Sequence, residues 1–144
     1  MRSGWEQFTR LHSTRMDPAE LVREFHRAAG FDLPSHPTLD VSSDLRALRL
    51  RLIEEELAEL RAALDDDDLV ETADALADLL YVVYGAAVSF GIPIERVFAE
   101  VHRANMAKLT TDEVVEREDG KVLKPPAWTP PEVERVLGGD VQAG

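Results

Sequence analysis

Apolar positions recur at helical spacing along most of the chain, and period-two alternation persists nowhere. Asp17-Pro18-Ala19-Glu20 reads as a helix start: Asp17 caps, Pro18 suits the first helical position, and Glu20 completes a capping box. That helix carries Leu21, Val22, Phe25, Ala28 and Ala29 inward and ends at Gly30; Phe31 to Ser43, with Pro34 and Pro37, reads as a loop. Ser42 or Ser43 then caps a long helix from Asp44 to about Ala63, with the apolar stripe Leu45, Leu48, Leu52, Ile53, Leu57, Leu60 and Leu64. The four aspartates at 65–68 oppose the negative end of its dipole and favour the start of the next helix, with Asp68 as cap. The third helix, from about Leu69 to Ser89, is almost wholly apolar around its circumference, the pattern of a buried helix. A tight turn makes it antiparallel to the second. Gly91-Ile92-Pro93 breaks the chain before a fourth helix bearing Ile94, Val97, Phe98, Val101, Met106 and Leu109.

From Thr110 onward, Gly120, Pro125, Pro126, Pro130 and Pro131 predict an extended tail, closed by a short helix from Pro131 to Leu137. Residues 1–16, with Trp5, Phe8, Leu11 and His12 at helical spacing, read equally as a short amphipathic helix or a loosely ordered arm. The expected fold is all-α: an antiparallel four-to-five-helix bundle over residues 17–110, preceded by the 1–16 segment and followed by the tail 111–144.

Composition narrows the chemistry. The 144 residues suit one domain with a real core. A net charge of -12, from 28 acids against 16 bases, disfavours nucleic-acid and anionic-membrane partners. An acidic protein that handles phosphates must recruit cations. The absence of cysteine excludes disulfides and thiolate metal sites. The longest apolar run, Leu79 to Phe90, is too short to span a bilayer, and the N-terminus carries no apolar signal core, so a cytoplasmic protein is expected.

Carboxylates interrupt the apolar faces. An α-helix advances roughly 100° per residue, which puts Glu56 and Glu59 within roughly 40° of Leu52, where a bundle would ordinarily place another leucine. On the third helix Glu71, Asp74 and Asp78 share an arc of roughly 60°. Several carboxylates meeting in a low-dielectric interior are costly unless they neutralise or bind cations. An all-oxygen set without histidine or cysteine points to magnesium or manganese rather than zinc. The plain alternative is a solvated acidic seam, or ordinary salt bridges to Arg46, Arg49 and Arg51.

These residues resemble a known family. Glu55-Glu56-Leu57-Ala58-Glu59 followed by Glu71-Thr72-Ala73-Asp74 is similar to the Glu-Glu-x-x-Glu … Glu-x-x-Asp signature of all-α nucleoside triphosphate pyrophosphohydrolases. That group includes MazG-like proteins, dimeric dUTPases and phosphoribosyl-ATP pyrophosphohydrolase. The likeness extends through Leu79-Leu80-Tyr81-Val82-Val83, through Val101 to Leu109, and through Asp119 to Pro126. In many relatives the Glu-x-x-Asp pair directly precedes the Leu-Leu-aromatic run, whereas here Ala75 and Asp78 hold those places. Either Glu71 and Asp74 alone supply ligands, or Asp78 joins them.

The resemblance implies magnesium ions, or manganese, held by Glu56, Glu59, Glu71, Asp74 and Asp78, with Glu55 placed to orient or deprotonate a water. It implies attack at the α phosphorus of a nucleoside triphosphate, with deoxyuridine triphosphate the leading substrate, release of monophosphate and pyrophosphate, and a homodimer or homotetramer. Asn105 and Lys108, one turn apart, are the candidates for phosphate and sugar; Arg103, Lys121 and Lys124 are further candidates for the leaving pyrophosphate. Phe25, His26, Tyr81 and Trp5 are available to a base, although such aromatics are usually core. A di-iron bundle is disfavoured because neither acidic helix contains histidine, and an EF-hand because Asp65 to Asp68 lacks its alternating ligands and central glycine. A non-catalytic helical interaction module and a phosphoribosyl-ATP pyrophosphohydrolase are the competing readings.

Overall fold

The computed structural model describes residues 16–109 and 118–138, and among these the protein is all-α, with no strand. The helices are α1 (Pro18–Ala28), α2 (Ser43–Asp65), α3 (Leu69–Ser89), α4 (Ile94–Met106), a 3₁₀ turn (Ala107–Leu109) and a single-turn α5 (Val133–Val136). The expected segment 1–16 lies outside the described residues, Met16 excepted. The chain forms two compact units that meet in sequence at Gly91 and Ile92.

In the first unit α2 packs along α3, and α1 also packs on α3. Local chemistry sets each boundary. Asp17 caps α1 by accepting from Ala19 N at 3.1 Å, with Pro18 in the first turn. Glu20 does not close the expected capping box; its carboxylate instead takes Arg27 at 2.8 Å and Arg23 at 3.2 Å, and a charged partner on the same helix outcompetes the backbone N–H. Ser42 caps α2 through Leu45 N. At the hairpin Asp67 adopts φ 53, a left-handed conformation that aspartate tolerates. Asp68 then caps α3 by accepting from both Val70 N and Glu71 N at 3.0 Å. The 31–42 loop folds back so that Thr38 N donates to Phe90 O, and Gly91, at φ 63, lies so close to the His36 carbonyl that a Cβ there would collide.

The apolar circumference of α3 predicts burial on all sides. The structure corrects this: Ala75, Gly85, Ala87, Val88 and Ser89 are buried, but Leu69, Val70, Leu76, Leu80 and Val83 are exposed. Among the described residues α1 and α2 pack on one side of α3, and its opposite face is exposed.

In the second unit α5 docks on α4 through polar anchors. Glu100 of α4 is buried, accepts from Glu132 N at 2.9 Å and pairs with Arg103 of its own helix. Trp128 Nε1 donates to Ala104 O. No single helix among the described residues is long and apolar enough to cross a membrane.

Candidate functional site

Residues seven apart on a helix lie within roughly 20° of one another and roughly 10.5 Å apart along its axis. On the antiparallel α2–α3 hairpin this spacing sets three facing levels. Arg49 lies against Gly85, where an added Cβ would stand 3.4 Å from Arg49 Nη1. Seven residues along α2 and seven back along α3 bring Glu56 to Asp78, whose charge acts on it. Seven more each way bring Ala63 and Glu71 to a hollow of about 290 Å³ beside the turn, lined also by Glu59, Ala62, Asp66 and Asp68.

The middle level carries the unusual chemistry. Glu56 is half-buried, and its Oε2 is enclosed without a hydrogen-bond partner. Loss of hydration raises the Glu56 pKa, and the charges of Glu59, Asp78, Glu55 and Asp74 push it further in the same direction. An enclosed carboxylate oxygen among four other acids favours a proton or a cation beside it. By chemistry this donor set, all oxygen, is the kind a hard divalent ion takes.

The expectation that all the acids converge in an apolar interior needs correction. Glu55, Glu59, Glu71, Asp74 and Asp78 are exposed, and no three acids among the described residues stand close enough to enclose an ion as placed. The structure groups Glu55, Glu59, Asp74 and Asp78 electrostatically around Glu56, while Glu71 meets Glu59 at the hollow by the turn. Glu59 therefore belongs to both places. Glu55 turns outward to Arg51 at 3.6 Å, an exposed pair that contributes little to stability.

The second unit has a cationic group of its own. Lys108 Nζ donates to Asn105 Oδ1 at 2.7 Å, so the pair expected one turn apart does meet. Lys108 Nζ and Lys124 Nζ lie 5.5 and 4.6 Å from the Trp128 ring centre, which holds two ammonium groups on one indole. Arg103 is committed to Glu100 through two hydrogen bonds of 2.9 and 2.7 Å, and with Glu132 N it holds the Glu100 carboxyl at a pKa of about 2. Lys121 is placed by its main chain, its N–H donating to Asp119 Oδ1. Trp128 and Glu100 were not legible as organisers: one lies in a proline-rich stretch, the other among ordinary helix-surface glutamates.

Residues 22–105, more than half of the chain, match the phosphoribosyl-ATP pyrophosphohydrolase family. The chain belongs to this family. The family falls within the MazG-like all-α nucleoside triphosphate pyrophosphohydrolase superfamily, as the acidic motifs imply. An uncharacterized protein of Acanthamoeba polyphaga mimivirus is 39% identical over 79 residues, covering 53% of this chain and 32% of that protein. The chain thus spans about a third of the curated relative that it matches. The span matched to the phosphoribosyl-ATP pyrophosphohydrolase family contains the six candidate site acids Glu55, Glu56, Glu59, Glu71, Asp74 and Asp78 and ends at Asn105, before Lys108, Lys124 and Trp128.

Proposed function

We propose that the protein is a magnesium-dependent nucleoside triphosphate pyrophosphohydrolase that releases a monophosphate and pyrophosphate. The observation that carries this reading is the enclosed, partnerless Oε2 of Glu56, ringed by Glu59, Asp78, Glu55 and Asp74. Glu56, Glu59, Asp74 and Asp78 would hold magnesium, or manganese, with Glu71 joining through Glu59. A bound ion supplies charge neutralisation and polarises the phosphoryl oxygens.

The chain's own residues do the rest. Glu55, released from its weak link to Arg51, takes a proton from the attacking water. The water oxygen bonds to the α phosphorus as the bridge to the β phosphorus breaks, and pyrophosphate departs with the bridging oxygen. Deoxyuridine triphosphate is the leading substrate. The family match supports phosphoribosyl-ATP as a second reading, because that molecule presents the same α–β anhydride. The protein works as a homodimer or homotetramer.

A panel of deoxy- and ribonucleoside triphosphates and phosphoribosyl-ATP, assayed for pyrophosphate release with magnesium, tests the proposal. At least one should be turned over. Glu59→Ala and Asp74→Ala should each lower kcat/KM by more than about 100-fold, beyond the usual cost of losing an outer-sphere partner, with the far-ultraviolet helical signal unchanged. Millimolar magnesium should raise the melting temperature of the wild type. No turnover and no magnesium effect would instead identify a non-catalytic interaction module.

A further inference from the structure

At the first level of the hairpin, α1, α2 and α3 enclose two basic side chains that make no ion pair among the described residues. His26 is 3% exposed and Arg49 8% exposed. His26 Nδ1 and Arg49 Nε are both enclosed and without hydrogen-bond partners. Gly85 lies directly against them: a Cβ there would stand in van der Waals contact with Arg49 Nη1 and His26 Nε2 at 3.4 and 3.6 Å. A glycine inside a helix costs roughly 1 kcal/mol against alanine, and this one lies beside two buried polar groups.

The surroundings are aromatic. Phe31 stacks near the guanidinium, 5.9 Å from ring centre to Cζ, and meets His26 edge to face at 5.3 Å. Phe25 meets His26 at 6.3 Å and Tyr81 at 5.9 Å. Phe25, Phe31 and Tyr81 are all left exposed. Two buried polar groups beside three exposed aromatic rings are the residue types that line small-molecule sites, apolar faces with a few convergent donors.

The chemistry favours one class of occupant. Arginine presents donors only, while histidine held neutral presents one donor and one acceptor. Burial and the neighbouring Arg49 charge oppose protonation of His26, so a phosphate dianion would find one cation there rather than two. A flat heterocycle with ring nitrogens and carbonyl oxygens uses both groups and the aromatic rim. The distance also suits. Arg49 precedes Glu56 by seven residues and Gly85 follows Asp78 by seven, so this level lies two turns, roughly 10.5 Å, along the hairpin from the acidic level and on the same face. That separation is comparable to the reach of a nucleotide from its phosphates across the sugar to its base.

We infer that Arg49 and His26, rimmed by Phe25, Phe31 and Tyr81, form the nucleobase seat of this protein, with Arg49 donating to the acceptors of the base. This deepens the pyrophosphohydrolase reading and rests on it for the position of the phosphates. Replacing a buried cation by an apolar residue of similar length is often neutral or stabilising, which makes Arg49→Met a usable variant. Tyr81→Ala removes an exposed ring, and Gly85→Ala adds a methyl in contact with both buried polar groups.

Binding is to be measured by calorimetry with magnesium for non-hydrolysable α,β-imido analogues of the panel nucleotides and for tripolyphosphate, which has the phosphates and no base; turnover is measured separately with the nucleotides themselves. The wild type should bind its best nucleotide at least about tenfold more tightly than tripolyphosphate. Arg49→Met should lose about 10- to 100-fold of the nucleotide affinity, as expected for a hydrogen bond from a charged donor, and leave tripolyphosphate binding unchanged. Tyr81→Ala and Gly85→Ala should move the same way. Nucleotide turnover with wild-type values in Arg49→Met and Tyr81→Ala would overturn the seat and leave the pyrophosphohydrolase reading standing. Arg49-dependent nucleotide binding without turnover would overturn that reading and keep the seat. Equal affinity for nucleotides and tripolyphosphate would overturn the seat, and a second copy of the chain found on the Phe25–Tyr81 rim would do so too.

Discussion

A proton on His26 would be enclosed beside a guanidinium that never loses its own. Burial, and then the Arg49 charge, hold its pKa below the ordinary histidine value. Above about pH 6.5 the ring is neutral in the folded and the unfolded chain, and it adds no pH dependence. Below that value the unfolded chain takes up a proton that the folded chain refuses, so folding stability falls with pH until the folded ring itself titrates. Between pH 7.5 and 5.5 the urea midpoint of the wild type should therefore decline, and His26→Gln should flatten the decline. An identical slope in both proteins would show that His26 does not oppose protonation. Glu56 presents the complementary case, an enclosed oxygen among negative charges. It was legible as a carboxylate on the leucine line of its own helix. His26 and Arg49 were not legible as a pair, because residues 26, 49 and 85 share no local spacing and meet only when three helices pack.

At the scale of elements, the legible features are those with local causes. Asp17 and Pro18 start α1, the leucine stripe draws α2, and the aspartate run stops one helix and starts the next, because charge at a helix end acts within one turn. What escaped sequence reasoning is the exposure of α3, and of Leu21, Phe25 and Ala28 on α1 and Ala29 at its end, since an apolar face says that a helix wants neighbours without saying whether its own chain provides them. Asp68 tests the local kind of cause. Its Oδ1 answers two backbone N–H groups at the head of the helix that carries Glu71, Asp74 and Asp78. Asp68→Ala should lower the unfolding free energy by about 0.5–2 kcal/mol in denaturant titration, while Asp68→Asn, which keeps an acceptor, should lose little of it. A full loss in Asp68→Asn would assign the effect to charge rather than to the cap.

For the whole molecule the question is what covers the outer face of the hairpin. Leu50, Leu57 and Leu64 of α2 follow one another at seven-residue spacing and all are exposed. Leu69, Leu76 and Val83 repeat the same spacing on α3, with Leu69 81% exposed. A seven-residue step drifts by only roughly 20°, so each set draws one stripe down its helix. Two parallel leucine stripes on an antiparallel pair are what a second such pair packs against, and contiguous apolar surface on this scale is uncommon on a monomer. A second copy of the same hairpin offers matching stripes by two-fold symmetry, which closes the assembly rather than extending it. Light scattering at ten or so micromolar should accordingly give at least a dimeric mass for the wild type. Leu57→Glu combined with Leu76→Glu places charges on both stripes at exposed positions; it should yield a monomer that keeps its helical signal and melts at a lower, concentration-independent temperature. A monomeric wild type, or a double variant with undiminished mass, would show that the leucine stripes serve something other than self-association.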